Sequence, residues 1–212
     1  MSSNSDYYEF HYDEVLNSGL LGKFKAFTHR FQEKQVSKNF VSQNLIELGA
    51  GTGTHKQYVT HAYKGYLQTD LRPLPHTGVF PLNAQALTEI EESAFDRLIA
   101  TCLLAHLNDP KLALDEWRRV VGNNGVVSIY VPCEPGALLR LFRLITTNIK
   151  ARKRGVNHYL FHYTEHKNYY INLKYLINEI FKGDEINVKK FPLNWFSWNF
   201  NFFAIYTIVI KK

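Results

Sequence analysis

Apolar side chains along this chain keep two rhythms, and the rhythms alternate. Leu16, Leu20, Phe24, Phe27 and Phe31 recur at helical spacing, which predicts a helix over residues 6–34 with Gly19 and Gly22 as candidate breaks. Short, mostly apolar runs at 44–48, 65–70, 79–83, 96–101 and 126–131 read as strands bounded by turn residues. Between them a helix is expected after Thr54, and a second after Asp109-Pro110, where Leu112, Leu114, Trp117 and Val120 supply the inward stripe. Asn123-Asn124-Gly125 reads as a turn before the fifth strand. Residues 136–153 predict one long apolar helix that turns basic, and a further helix near Thr164 carries Tyr169, Leu173, Leu176, Ile177 and Ile180 on one face. Two β-rich runs, 185–191 and 201–210, close the chain. Strands alternating with helices and then a final strand pair imply an α/β fold, its sheet mostly parallel with an antiparallel edge.

Composition narrows this picture without changing it. A chain of 212 residues with 45% hydrophobic and 15% aromatic side chains fits one α/β domain over residues 1–212. No apolar run approaches the roughly 20 residues of a membrane-spanning helix, and Met-Ser-Ser-Asn-Ser lacks the features of a signal peptide. Cys102 and Cys133 have no paired metal spacing, so no metal and a reduced, cytoplasmic setting are expected. Charge is uneven: residues 1–130 hold 12 basic and 14 acidic side chains, residues 131–212 hold 13 and 5. The basic excess gathers in Arg140, Arg143, Lys150, Arg152, Lys153 and Arg154. Such a segment is either a solvated helix end or a surface facing an anionic substrate or membrane.

One stretch carries the chemistry. Asn44-Leu45-Ile46-Glu47-Leu48-Gly49-Ala50-Gly51-Thr52-Gly53-Thr54-His55 joins a strand ending in an acid to a turn with glycine at alternate positions. Glycine lets the backbone bend sharply and lets a ligand approach without a Cβ in the way. A dinucleotide fingerprint would place its third glycine or alanine at position 54, where this chain has threonine. Asp70 follows Glu47 by 23 residues at the end of the second strand.

The Gly-x-Gly-x-Gly form with Glu47 resembles motif I of class I S-adenosylmethionine-dependent methyltransferases. The resemblance extends over roughly residues 40–135 and is nearest the type 11 small-molecule branch. It rests further on Asp70, on Pro81-Leu82-Asn83-Ala84, on Asp96–Leu107 and on Trp117–Gly125. It implies a Rossmann-like, seven-stranded mixed sheet with helices on both faces and S-adenosyl-L-methionine as cofactor. The implied cofactor-binding residues are Glu47, Gly49, Ala50, Gly51, Gly53, Asp70, Leu71, Asn83, Ala84, Thr101 and Cys102. Asn83 stands where the family usually has an acid beside adenine. Thr101-Cys102-Leu103-Leu104 is not the Pro-Pro-aromatic turn of enzymes that methylate nucleobase amino groups, so no DNA partner is expected.

Loops at the C-terminal ends of strands four and five should hold the acceptor, which nominates His106, Glu134 and Cys133 beside ordinary helix-start roles for the first two. Residues 157–168 add His158, His162 and His166 at spacing four, where relatives border the acceptor pocket and where Thr164 would cap a helix. His162 first and His166 second are the candidate general bases. His162-Tyr163-Thr164-Glu165-His166 also fits an inverted zinc-peptidase pattern, which would need a third ligand downstream, at Asp184 or Glu185. Residues 1–35, with Tyr7, Tyr8, Phe10, His11 and Tyr12, are read as an N-terminal helical lid or as plain packing, and 136–182 as a helical acceptor-side region. The aromatic run Phe191–Phe203 would stack on a sugar if exposed, or fill the core. The expected function is O-methylation of a small molecule or of a glycan or lipid-linked intermediate, with peripheral membrane contact through 140–154 as an accompanying expectation. The alternatives are a non-catalytic S-adenosylmethionine-binding module and an RNA-associated methyltransferase.

Overall fold

The structure is a computed structural model, and it describes residues 19–74, 77–153 and 157–212. Helix α1 spans Gly19–Glu33. The strands are β1 (Val41–Leu48), β2 (Ala62–Asp70), β3 (Phe80–Pro81), β4 (Phe95–Thr101), β5 (Val121–Pro132), β6 (Glu185–Pro192) and β7 (Asn201–Val209). Between them lie α2 (Pro110–Val120), α3 (Ala137–Ile145), α4 (Thr147–Lys153), α5 (His158–Glu165) and α6 (Tyr170–Ile180). The strand order is β3-β2-β1-β4-β5-β7-β6. β1 through β5 pair in parallel, whereas β7 runs antiparallel to both β5 and β6. This is the mixed seven-stranded sheet expected from the chain.

The strands alternate strictly, and each side meets different helices. Ile46 and Leu48, Leu98 and Ala100, Val127 and Ile129, Ala204, Tyr206 and Ile208 face one way, against Leu114 and Trp117 of α2 and Leu173 and Ile177 of α6. Trp117 donates its indole N–H to the Ala84 carbonyl at 2.9 Å, so the largest side chain of this core buries no unpaired donor. On the other side α1 lies with Phe24, Phe27 and Phe31 against Phe191, Phe202 and Phe203. Its C-terminal half meets polar sheet residues instead. Arg97, fully buried on β4, donates to Glu33 at 2.6 Å, and the same carboxylate oxygen takes His55 Nε2 at 2.9 Å. Gln32 donates to the Ser128 carbonyl, and Thr101 donates to Gln32.

Several local expectations are corrected. Helix α1 runs through Gly22 unbroken, and residues 6–18 of the expected helix, with Tyr7, Tyr8, Phe10, His11, Tyr12 and Leu16, lie outside the described residues. The helix expected after Thr54 is one 3-10 turn, Thr54–Tyr58, because Val59 is already extended and His55 is drawn inward to Glu33. The third strand shrinks to Phe80–Pro81. β5 starts at Val121 and absorbs the Asn123–Gly125 turn; Asn124 keeps a left-handed φ of 60° while its N–H and the Gly125 carbonyl hold Ile210. The long 136–153 helix breaks at Thr146, where Thr146 and Thr147 hydroxyls return to the carbonyls of Phe142 and Arg143. Thr164 lies inside α5 rather than capping a helix, and the next helix waits until Tyr170.

The Glu33–Arg97 pair yields a stability test. Glu33 Oε2 and Arg97 Nε and Nη1 have no partner among the described residues, so the pair is buried but only partly satisfied. Arg97→Met alone should cost about 3–5 kcal/mol, because it strands a buried charge, while Arg97→Met with Glu33→Leu should recover most of that loss in urea denaturation. Burial opposes the ionisation of Glu33, but the His55 hydrogen bond and the Arg97 charge win and hold its carboxyl below the usual range. Its stabilising contribution is therefore present above a pH of about 4.5, the unfolded value, and is lost as pH falls toward the folded one. A stability gap between wild type and Glu33→Gln that grows below that pH would contradict this.

Candidate active site

β1 ends at Leu48, and the chain bends at once through the alternating glycines. Gly49 has φ 69°, a left-handed conformation that strains any residue with a side chain, and a Cβ there would also press on Leu103 Cδ1 at 2.8 Å. Three backbone donors set the bend: Ala50 N–H reaches the Thr69 carbonyl, Gly51 N–H reaches Asp70 Oδ2 at 2.9 Å, and Gly53 N–H closes on the Ala50 carbonyl. Glu47 lies buried beneath, accepting from Tyr66 Oη at 2.8 Å and Gln68 Nε2 at 2.9 Å. Burial raises its pKa, and these donors and His55 oppose the rise.

Above the bend lies a cavity of about 260 Å³. Its cofactor-side wall includes Glu47, Gly49, Ala50, Gly51, Thr52, Thr101 and Cys102. Thus six of the eleven residues named for the cofactor line it. Gly53, Asp70, Leu71, Asn83 and Ala84 lie outside that lining. Asp70 is one hydrogen bond away, through Gly51, and its other oxygen accepts from Arg72 N–H. Leu71 is exposed, Asn83 accepts from Gln85 N–H, and Ala84 is packed in the core beneath Trp117. Gly53 faces Gln68 instead.

The opposite wall comes from segments far apart in sequence. Helix α1 contributes Leu21, Phe24, Lys25, Thr28 and His29; α3 and α4 contribute Leu139, Phe142, Arg143 and Thr147; α5 and the residue after it contribute His162, Glu165 and His166. His106 joins them from the loop after β4. Asn168 fastens the last two segments together, donating to the carbonyls of Leu104 and Leu107, while the N–H groups of Lys167 and Asn168 reach Ala105.

Glu134 organises this wall from just behind it. Its buried carboxylate accepts from Arg143 and from His166 Nδ1 at 2.8 Å, with His162 Nε2 at 3.1 Å. Burial disfavours the charge, yet hydrogen bonds from His162 and His166 and the Arg143 charge hold the carboxyl well below the usual carboxylate range. Glu134 therefore spends its charge on side chains rather than on the start of α3, where Gly136 is the cap residue. Burial pushes the His166 imidazole down to about 3 and lowers that of His106, so both rings are held neutral. His166 packs edge-on to His106 and His162, with ring centres 4.4 and 4.0 Å away. His158 shares α5, but its side chain lies outside the described set. Burial pushes the thiols of Cys102 and Cys133 up to about 12, and Cys133 is fully buried, so neither is a thiolate.

Two overlapping sets, Cys102-His106-His166 and Glu134-His162-His166, bring possible ligand atoms within 4.8 Å of one another. In the second set the Arg143 guanidinium already compensates the carboxylate, which disfavours a cation there. The downstream acids of the zinc-peptidase pattern lie elsewhere, Asp184 bound by Arg118 at 2.7 Å and Glu185 on edge strand β6.

Arg143, His29, Lys25, Thr28, Glu165 and Tyr130 were not foreseen as site residues. Arg143 alone carried a signal: it follows Leu139 and Phe142 on the inward stripe of a helix whose other inward positions are apolar.

Residues 46–129 match the family model described as a methyltransferase domain. No curated protein matches the chain. Its fold is similar to that of a Thermotoga maritima S-adenosylmethionine-dependent methyltransferase described as a possible histamine N-methyltransferase, at 16% identity and TM-score 0.60, covering 98% of this chain and 95% of that one. It is also similar to phosphoethanolamine N-methyltransferase 2 of Haemonchus contortus solved with S-adenosyl-L-methionine, at 14% identity and TM-score 0.58, covering 99% of this chain and 58% of that one. A putative methyltransferase from Listeria monocytogenes matches at 12% identity and TM-score 0.59, covering 88% of this chain and all of that one.

The strand order and the acid-flanked glycine bend agree with the matched segment: residues 46–129 form a methyltransferase domain, and S-adenosylmethionine is its cofactor. The residues present fit that group. Glu47 brings a buried acid to the cavity, the bend admits a ligand to bare backbone, and Asp70 keeps lone pairs beyond its two N–H donors. Asp70→Ala removes the anchor of Gly51 and should weaken S-adenosylhomocysteine binding at least about tenfold in calorimetry, the scale of a hydrogen bond to a charged group. Undiminished affinity would remove Asp70 from the site.

Proposed function

We propose that the protein methylates a hydroxyl oxygen on a small molecule or glycan-type acceptor, with His166 as general base and Glu134 as its positioning residue. When bound, S-adenosylmethionine supplies the methyl group and its own leaving group. What the protein adds is alignment and removal of the acceptor's proton. The observation that carries the reading is the His166–Glu134 hydrogen bond at 2.8 Å. A carboxylate on Nδ1 fixes that nitrogen as the N–H, leaving Nε2 as the acceptor on a neutral ring in the cavity wall. The imidazolium formed on proton transfer would face the same carboxylate, which opposes the lowering that burial imposes on the ring.

His162, first choice from the sequence, is the weaker candidate. Its Nε2 sits between the Arg143 guanidinium and the Glu134 carboxylate, so that nitrogen is engaged by the ion pair rather than turned to an acceptor. The N-methyltransferases among the structural relatives raise an amine acceptor as a second possibility. A hydroxyl fits this wall better, because it keeps a proton that must leave around transfer, whereas a neutral amine attacks without a base.

The test follows labelled methyl groups into a fractionated cell extract. His166→Asn should lower kcat by roughly 10²–10⁴-fold while S-adenosylhomocysteine affinity stays within twofold, and Glu134→Gln should lower kcat in the same direction. Unchanged kcat in His166→Asn rejects it as base. Mass spectrometry placing the label on nitrogen or carbon rejects the hydroxyl reading and leaves the enzyme class intact.

A further inference from the structure

Helix α3 is apolar over much of its circumference, with Arg140 and Arg143 on the remaining strip. Leu139 and Phe142 face the cavity, yet Leu141, Leu144 and Ile145 on the outer side are 57%, 48% and 63% exposed. A helix at the surface of a globular domain normally shows water a polar face, so this outer stripe is unmatched by its surroundings. Beyond the break at Thr146, Ile149 of α4 is 49% exposed, and exposed Arg152 follows three residues later. Leu160 of α5 and Leu20 of α1, on two other elements that wall the cavity, are also exposed. Basic residues border the apolar ones. Arg140 and Arg152 are exposed, and the sequence adds Lys150, Lys153 and Arg154, with no acid between Glu134 and Glu165.

We infer that the outer face of α3 and α4 docks on an anionic lipid surface. The apolar stripe would enter the boundary between headgroups and acyl chains while the arginines remain at the level of the phosphates, the arrangement of helices that lie in a membrane interface. Among the described residues no helix is long and apolar enough to cross a membrane, so the contact is peripheral. Charge decides between occupants. A second copy of this chain would bring Arg140 and Arg152 against their own kind across a symmetric contact, whereas an anionic bilayer meets them with the opposite sign. Because the inner face of α3 lines the cavity, an acceptor carried by lipid would be delivered to the site at its own wall; this last step rests on the methyl-transfer reading above, and docking itself does not.

Co-sedimentation of the whole protein with phosphatidylcholine vesicles, with and without phosphatidylglycerol, tests the inference. Wild type should associate with the anionic vesicles and be released by high salt. Leu141→Ser with Ile145→Ser should cut association about tenfold or more, and Arg140→Gln with Arg152→Gln should cut it by about fivefold per arginine. S-adenosylhomocysteine binding by each variant, unchanged from wild type, establishes that the fold and cofactor site persist, so a loss of docking is separable from a failure of the enzyme reading. The inference is overturned if wild type ignores anionic vesicles, if the serine pair leaves association intact, or if light scattering shows a dimer that the serine pair converts to monomer.

Discussion

A buried carboxylate must be compensated, and in this protein Glu134 is compensated by side chains that arrive from separate parts of the chain. Arg143 comes from α3, His162 from α5 and His166 from the segment after it. Removing a carboxylate from water costs several kcal/mol, a cost recovered only when the surrounding donors are well aimed. The need to satisfy one anion thus gathers the acceptor wall. Asn168 then locks the assembled wall to the loop after β4, which brings His106 into the same ring cluster.

Glu33 does comparable work on the cofactor side. It ties α1 to β4 through Arg97 and to the residues following the glycine bend through His55, and His55 in turn shares a hydrogen bond of 2.7 Å with cavity-lining His29. Burial, and then the neighbouring His55, push His29 down to about 2, so its ring stays neutral beside the site. The cavity is bracketed by two buried anions, each holding a helix against the sheet. A site built this way is rigid where charges meet and adaptable where apolar residues such as Leu21, Phe24, Leu139 and Phe142 form the remaining wall.

What was legible in the sequence follows from how local each cause is. The strands, the glycine bend and the antiparallel final pair are dictated by neighbours a few residues apart, and they were read with errors mainly at boundaries. Competition between hydroxyls and backbone, as at Thr146 and Thr147, breaks a helix that periodicity alone would continue. The Glu33–Arg97 pair spans 64 residues and the His166–Glu134 pair 32, and no spacing rule announces either. The histidines were visible as candidates, but their ranking was not. That ranking depends on which ring nitrogen faces a carboxylate and which faces a guanidinium, a matter of three-dimensional placement. The aromatic run shows the same limit: Phe203 is buried under α1 and Trp198 stacks on Tyr170, while Trp195 is left 80% exposed.

The two halves of the site consequently stand under different constraints. On the cofactor side the wall is mostly the glycine bend after β1, joined by Thr101 and Cys102 at the end of β4, so one local pattern specifies most of it. The opposite wall is drawn from α1, α3, α5 and the loop after β4, its polar members gathered by charge around Glu134. Exchanging any one of those side chains alters shape and protonation without touching the bend that holds the cofactor. Such a division leaves the donor constant while acceptors differ, and it explains why the class of this enzyme can be read from a dozen contiguous residues whereas its acceptor must be argued from the folded wall.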